Sequence, residues 1–374
     1  MTRQGVPTIG VEEEYLLIDP ASRAPEPASA RVIARAAGHL GDLVSGEFTR
    51  CQIEVKTPPC ADPGRLREEL LRLRAGVAAA ATAEGLRICA SGTPAVAQRE
   101  PPPIGDHPRY RAGARQYRAM LDDFAVCACH VHIDLPDREV AVLVGNHVRV
   151  WLPLLVALSA NSPFHQGQDT GYADWRAVIR SRFACLGPPP YAESLRQHNE
   201  IAAAIAESGA MLDPDTPFWD IRPNPRLPTL EIRAMDVIAH VDDAVALAVL
   251  IRALVVTATA KVLAGDPGPR PCSELLRAAY WRSARDGWSG SGVDALTGRI
   301  LPAAVQAGRL VDFVRPALDQ HGDTDLVMAF LRRLAMRGGG AEGQRASAAR
   351  HGTLSAVVDD LVELTFAQCR SARR

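Results

Sequence analysis

Gly10-Val11-Glu12-Glu13-Glu14-Tyr15-Leu16 sets three carboxylates in a row inside an otherwise apolar stretch. On a strand, side chains two apart point the same way. Glu12 and Glu14 therefore share one face, and Val11, Glu13 and Tyr15 share the other. Three more segments follow the same rule. In Cys51-Gln52-Ile53-Glu54-Val55-Lys56 the apolar face is Cys51, Ile53 and Val55, with Gln52, Glu54 and Lys56 opposite. In Ala128-Cys129-His130-Val131-His132-Ile133-Asp134 the polar face is His130, His132 and Asp134. In Thr229-Leu230-Glu231-Ile232-Arg233 it is Thr229, Glu231 and Arg233. A solvated face would account for any one of these strands, because antiparallel sheets often keep one side in water. Such faces usually carry Lys, Thr, Ser and Gln, whereas these carry mainly carboxylates and imidazoles. Carboxylates facing each other across strands repel. Divalent cations among the oxygens relieve that repulsion, and the donor set suits Mg²⁺ or Mn²⁺. An imidazole favours Mn²⁺ somewhat; use with nucleotides favours Mg²⁺.

These strands, at residues 8–18, 51–57, 128–135 and 229–235, are separated by Ala-, Leu- and Arg-rich segments that read as helices. The first helix starts with Asp62 as N-cap and Pro63 at its first position, and it ends near Gly85. Others are expected over 137–160, 192–208, 241–263, 273–284, 326–336 and 352–370. The order does not follow a strict strand–helix alternation. That predicts an α+β fold with a mostly antiparallel sheet. Pro-rich stretches at 99–111, 186–190 and 213–228 are short and flanked by patterned segments, so they read as loops rather than linkers. With no internal repeat, residues 1–374 are expected to form a single domain.

Composition excludes several classes. The chain has 374 residues, 47% hydrophobic and 23% charged, which argues against wholesale disorder, collagen and coiled coil. Its 42 Lys and Arg against 43 Asp and Glu give no global pull toward nucleic acid or an anionic membrane. The apolar stretch from 244 to 264 is interrupted by Arg252 and Lys261. It reads as a buried helix rather than a membrane span, either core or the interface of a homo-oligomer. The N-terminus shows no secretory pattern, and the eight Cys include no C-x-x-C pair, so a cytoplasmic protein with reduced thiols is expected.

Other motifs fall away on inspection. Cys127-x-Cys129-His130-x-His132 resembles a zinc cluster, but strand alternation sends the Cys away from the His. Gly338-x-Gly340-x-x-Gly343 follows a helical run instead of a strand, so it reads as a helix end with a flexible loop or a mobile lid. Neither G-x-x-x-x-G-K-[ST] nor G-x-S-x-G occurs. Ser159-x-x-Ser162, with Asn161 between them, reads as a helix C-terminus turning toward the site.

The chain closely resembles the bacterial carboxylate–amine ligases of the glutamate–cysteine ligase type 2 family. The resemblance rests on Gly10-Val11-Glu12-Glu13-Glu14, His130-Val131-His132 and Leu158-Ser159-Ala160-Asn161-Ser162-Pro163-Phe164 continuing to Asp169-Thr170-Gly171-Tyr172. It extends to Trp219-Asp220-Ile221-Arg222-Pro223, Thr229-Leu230-Glu231-Ile232-Arg233 and Gly340-Ala341-x-x-Gln344-Arg345, in the family's order. Ala128 departs from the pattern, since many relatives carry Gly there. The resemblance implies a curved, mostly antiparallel sheet flanked by helices, like glutamine synthetase and glutamate–cysteine ligase. It also implies ATP-dependent ligation through an acyl phosphate, with ADP and phosphate released. Glu12, Glu14, Glu54, His130 and Glu231 match positions that hold divalent metals around the triphosphate, with Mg²⁺ or Mn²⁺ as the metal. Arg233 matches a position beside the transferred phosphate.

Phosphoryl transfer to a carboxylate brings two anions together, so its catalysis is positioning and charge neutralisation. Arg233 and Lys56 are the expected nucleotide contacts, and Arg233 or Arg222 the cationic help for the later tetrahedral intermediate. Arg176, Arg109 and Asn161 are the expected substrate contacts, with His132 and Asp134 shaping the surroundings. The expected substrates are small molecules: an acid, foremost glutamate through its γ-carboxylate, and an amine such as cysteine. Two alternatives stay open. One is a γ-glutamyl ligase or phosphotransferase acting on another amine. The other is a non-catalytic protein that binds nucleotide and metal.

Overall fold

Strand β1 (Ile9–Ile18) lies in the interior of the main sheet, paired along both edges. The structure is a computed structural model and describes residues 5–98 and 100–371. The other strands are β2 (Val44–Gly46), β3 (Gln52–Lys56), β4 (Arg87–Cys89), β5 (Ala128–Asp134), β6 (Phe164–His165), β7 (Gln168–Asp169), β8 (Ile221–Pro223), β9 (Thr229–Asp236), β10 (Ser291–Val293) and β11 (Ile300–Pro302). The helices are α1 (Ser29–Leu40), α2 (Pro63–Ala83), α3 (Pro108–Tyr117), α4 (Arg138–Val148), α5 (Leu152–Ser159), α6 (Trp175–Arg180), α7 (Leu195–Glu207), α8 (Val241–Leu263), α9 (Ser273–Asp286), α10 (Ala303–His321), α11 (Thr324–Arg337), α12 (Gly340–His351) and α13 (Leu354–Ser371).

The main sheet runs β2-β3-β1-β5-β9-β8, every neighbour antiparallel, and β4 pairs with the end of β1. This is the α+β class expected from the strand pattern, an antiparallel sheet flanked by helices. Register matters more than class here, because directly opposed residues share a face. Glu14 stands opposite Glu54, Glu12 opposite His130, and His132 opposite Glu231. On the far side of β9, Arg222 is opposite Glu231. The polar faces read from four separate segments thus form one surface.

The β5–β9 ladder shifts between Cys129 and Val131: Cys129 pairs with Met235 but Val131 with Ile232. Two residues, Arg233 and Ala234, therefore face the single His130, which is the geometry of a β-bulge on β9. A bulge frees backbone groups that need new partners when buried. Arg176 and Arg180, one turn apart on α6, supply them. Arg176 donates to the carbonyls of Ala234 and Arg233, and Arg180 to that of Arg233, each at 3.2 Å.

The other face of the sheet packs on helices. Ile9, Val11, Val131, Ile133, Leu230 and Ile232 join α8 in one apolar cluster, while Tyr15, Ile53 and Val55 join α1 and α2 in another. Among these apolar groups sits a fully buried ion pair. The Arg74 guanidinium on α2 holds the Glu13 carboxylate and donates to the carbonyls of Ala239 at 2.5 Å and Ile238 at 2.8 Å. The Tyr15 hydroxyl also donates to Glu13. Helix α8 is long and apolar enough to cross a membrane, yet most of it is buried against β5, α2, α4, α10 and α11.

Several elements differ from expectation. Residues 137–160 form two helices, α4 and α5, bent by 70° at their junction. Pro153 within the first turn of α5 cannot continue the preceding hydrogen-bond ladder. Helix α3 occupies part of the Pro-rich stretch read as a loop, with Pro108 in its first turn and the His107 ring accepting from the Arg109 N–H; Arg99 lies outside the described residues. Residues 338–343 are no loop. Gly338, at φ 77°, ends α11, and Gly339 caps α12 at once.

Candidate active site

A cavity of about 660 Å³ opens over the polar face of the sheet. Glu12, Glu14, Glu54, Lys56, His130, Glu231 and Arg233 all line it, although they come from four strands. Arg109, Arg176, Arg180 and Arg222 line it as well. Glu47, just after β2, also reaches in.

The acidic and imidazole groups form a connected row. Three overlapping sets bring their ligand atoms within 4.8 Å of one another: Glu12, His132 and Glu231; Glu12, Glu54 and His130; and Glu14, Glu47 and Glu54. Glu12 contacts His130 Nδ1 at 3.2 Å and His132 Nε2 at 3.5 Å. Burial opposes ionisation of Glu12, but the hydrogen bonds from His130 and His132 outweigh it and hold the carboxyl well below its usual range. Glu231 is lowered too: burial works against it, and the charges of Arg233 and Arg222 override burial. Arg222 grips it through Nε at 2.9 Å and Nη2 at 3.3 Å, Asn224 donates to it at 2.9 Å, and Arg233 contacts it as well.

The opposite end behaves differently. Burial and the neighbouring charge of Glu12 push Glu54 up to about 8, despite Lys56 Nζ at 2.7 Å and the Ser45 hydroxyl at 2.9 Å. Burial raises Glu14 as well, against the pull of Arg176 and of the Ala128 N–H at 2.8 Å. Glu47 rises well above the carboxylate range through burial and then through Glu14 and Glu54. Three carboxylates that resist ionising together form an oxygen-rich cradle in need of positive charge. His132 Nε2 is buried and reaches the Glu12 carboxylate only at 3.5 Å, at the outer limit of a hydrogen bond. Both features fit a row of divalent cations, so Glu12, Glu14, Glu47, Glu54, His130, His132 and Glu231 have the chemistry to hold them.

This row carries a stability signature. A Glu with a folded pKa near 8 and an unfolded value near 4.3 contributes stability that is full below the lower value and lost as pH rises through the upper one. The cation-free protein should therefore melt at falling temperature between pH 5 and pH 9. Added Mg²⁺ should raise the melting temperature, and more at pH 9 than at pH 5. A melting curve indifferent to both pH and Mg²⁺ would refute the cradle.

Not every expected residue behaves as anticipated. Asn161 does not reach the cavity. It is buried, its amide donating to the carbonyls of Ala90 and Val237 at 2.9 Å, while Gln344 donates to its side-chain and main-chain oxygens at 2.8 Å. The fit is close: a Cβ at Gly340 would lie 2.4 Å from Asn161 Oδ1. Arg222 directs every nitrogen inward, Nη1 to the Pro217 carbonyl at 2.7 Å and the others to Glu231. Arg176 lines the cavity but holds the bulge carbonyls. Arg109 lines the cavity with its guanidinium bound to Asp213 at 2.7 Å. Asp134 is exposed. Glu47 and Arg180 were not anticipated. Glu47 sits beyond a three-residue strand too short to show alternation, although Ser45 pairing with Glu54 brings it alongside.

The model of glutamate–cysteine ligase family 2 matches residues 8–360. A protein of Nocardia farcinica described as "Putative glutamate--cysteine ligase 2-1" is 42% identical over 364 residues, spanning 97% of this chain and 94% of its own. A Mycobacterium sp. (strain KMS) protein with a similar description, numbered 2-2, is 41% identical over 362 residues, covering 96% and 99%. Among solved structures, glutamate–cysteine ligase of Francisella tularensis in complex with AMP superposes with a TM-score of 0.71 at 12% identity, over 98% of this chain and 89% of that one. A bifunctional glutathione synthetase of Pasteurella multocida gives 0.69 at 13% identity, over 97% and 52%. At such identities these two structures speak to the fold.

Proposed function

This chain belongs to glutamate–cysteine ligase family 2, and from that premise we propose that it joins a glutamate-type γ-carboxylate to an amine at the expense of ATP, through an acyl phosphate. The observation that carries this reading is the convergence of Glu12, Glu14, Glu54, His130 and Glu231 on one cavity from four strands. A carboxylate oxygen attacks the γ-phosphorus, the bond to the β-phosphate oxygen breaks and ADP leaves. The amine nitrogen then attacks the acyl carbon, phosphate leaves, and the nitrogen gives up a proton as the amide forms. Bound divalent cations supply charge neutralisation along the triphosphate.

The chain's own residues do the positioning. Glu14, Glu47 and Glu54 would hold cations at one end of the row, and Glu12, the histidines and Glu231 at the other. Arg233 faces the transferred phosphoryl group: its Nε is buried and has no partner within the protein. Arg222 acts through Glu231, fixing that carboxylate in place. Arg176 and Arg180 brace the bulge that carries Arg233. Lys56, partly exposed beside Glu54, is available to the nucleotide. We treat residues 1–374 as one domain with small-molecule substrates, working in the cytoplasm, where ATP is at hand. The seven free cysteines among the described residues suit a reducing compartment.

Amine-dependent release of ADP and phosphate is the test. Release of AMP and pyrophosphate would point to adenylation and overturn the acyl-phosphate route. Arg233→Ala should lower kcat by roughly 10²–10³-fold with little change in KM for ATP. The opposite pattern would reassign Arg233 to ground-state nucleotide binding.

A further inference from the structure

Six arginines are buried among the described residues. Five of them are accounted for. Arg74 holds Glu13, Arg252 reaches Asp323 at 2.6 Å, Arg180 reaches Asp220 at 2.7 Å and Arg222 grips Glu231. Arg176 binds the bulge carbonyls, with Asp236 at 3.9 Å. Arg149 is different. It is 2% exposed, its Nε is buried without a partner, and its guanidinium makes no ion pair or hydrogen bond with any described residue.

A buried charge calls for a counter-charge, and taking one out of water alone is among the larger penalties a fold can carry. A buried lysine or histidine escapes by giving up its proton. Burial lowers the hold of Arg149 on its proton too, but a guanidinium starts too high to become neutral near neutral pH. The groups that oppose burial here are Tyr280 and Tyr191, not a carboxylate. Asp220, which lies beside Tyr280, is already bound by Arg180. Arg149 caps the C-terminal end of α4, where the helix dipole favours a cation. Partial charges on the last carbonyls offset only part of a full buried charge.

The surroundings have room for a counter-ion. Gly145 lies one turn before Arg149, so both stand on one face of α4. Gly145 is buried, yet a Cβ built on it would meet no atom within 4 Å beyond the helix backbone around it. Interiors are close-packed, so clearance of this kind beside an unpaired charge points to an occupant. The Tyr280 hydroxyl, on α9, is also buried and closes no hydrogen bond of ordinary geometry, which adds an O–H donor from the neighbouring helix. The clearance suits a single-atom ion, and one guanidinium calls for one negative charge. Arg149, Gly145, Tyr191 and Tyr280 do not line the cavity over the sheet, so this site is separate from the row of acids.

We propose that Arg149 forms a buried site for a small monovalent anion of the halide class, chloride foremost, at the 70° bend between α4 and α5. The ion neutralises the guanidinium and fastens the bend to α9 through Tyr280. Thermal melting of the full chain tests this, in sodium gluconate exchanged stepwise for sodium chloride or bromide at fixed ionic strength. Arg149→Met, which keeps an apolar stem in place, reports the general effect of the salts. Relative to that variant, both halides should raise the melting temperature of the parent saturably, by about 2–4 °C. The same response to chloride in parent and variant overturns the proposal. So does a parent that responds to phosphate or acetate but not to halides, which would mark a site for a larger anion. Should Arg149→Met not fold, the parent alone decides. The NMR line of chloride should broaden when the protein is added and narrow again when bromide displaces the bound ion. A line width that bromide leaves unchanged refutes the site.

Discussion

Glu54→Gln should reduce amine-dependent ADP release by roughly 10²–10³-fold while leaving the fold intact. Glu54 belongs to two of the three ligand sets, so its loss touches the middle of the row and the end shared with Glu14 and Glu47. Its carboxyl is pushed up to about 8 by burial and by Glu12, which means that the folded protein holds the charge at a cost. Glutamine keeps the shape and an oxygen for the Ser45 hydroxyl and Lys56, and it removes the repulsion. The melting temperature of the cation-free protein should stay level or rise, and Mg²⁺ should raise it less than in the parent. Near-normal rates at saturating Mg²⁺ would show that the cations are held elsewhere. Glu231→Gln makes an instructive contrast. It would lose turnover and stability together, because Arg222 and Arg233 would be left buried around a neutral amide.

That contrast marks what the sequence can and cannot disclose. Alternation within each strand is local, so the polar faces of Glu12, Glu54, His130 and Glu231 were legible from short stretches. Their family spacing then ordered them. Partners are non-local. Nothing near Glu231 in the chain says that two arginines neutralise it while Glu54 is left among like charges. The bulge at Arg233 and Ala234 was hidden for the same reason, since it exists only in the pairing of β9 with β5. Asn161 went astray because a polar residue at a helix end looks the same whether it faces a ligand or ties loops together. Some misses did leave a trace. Pro108 in a first turn signals α3, and Pro153 signals the break after α4.

Arg74→Ala should be strongly destabilising, costing about 3–5 kcal/mol. Arg74 and Glu13 have no exposed side-chain surface. Glu13 points away from the cavity, the one carboxylate of its triplet sent to the helical side by strand alternation. Truncating Arg74 leaves that charge in an apolar core and strips the carbonyls of Ile238 and Ala239 of their donors. Urea denaturation would show the midpoint moving down. The double variant Glu13→Leu with Arg74→Leu should recover much of the loss, because the uncompensated charge disappears. A cost below about 1 kcal/mol for Arg74→Ala would mean that water reaches the pair.

The lining of the cavity hangs on different parts of the chain. The row of acids is welded into the sheet, where slipping any strand by one residue would turn its whole polar face inward. Tyr110 and Tyr117 of the same lining hang on the ten-residue α3, outside the sheet. Substitutions in that fringe can therefore reshape this part of the lining without disturbing the strand register that holds the acids.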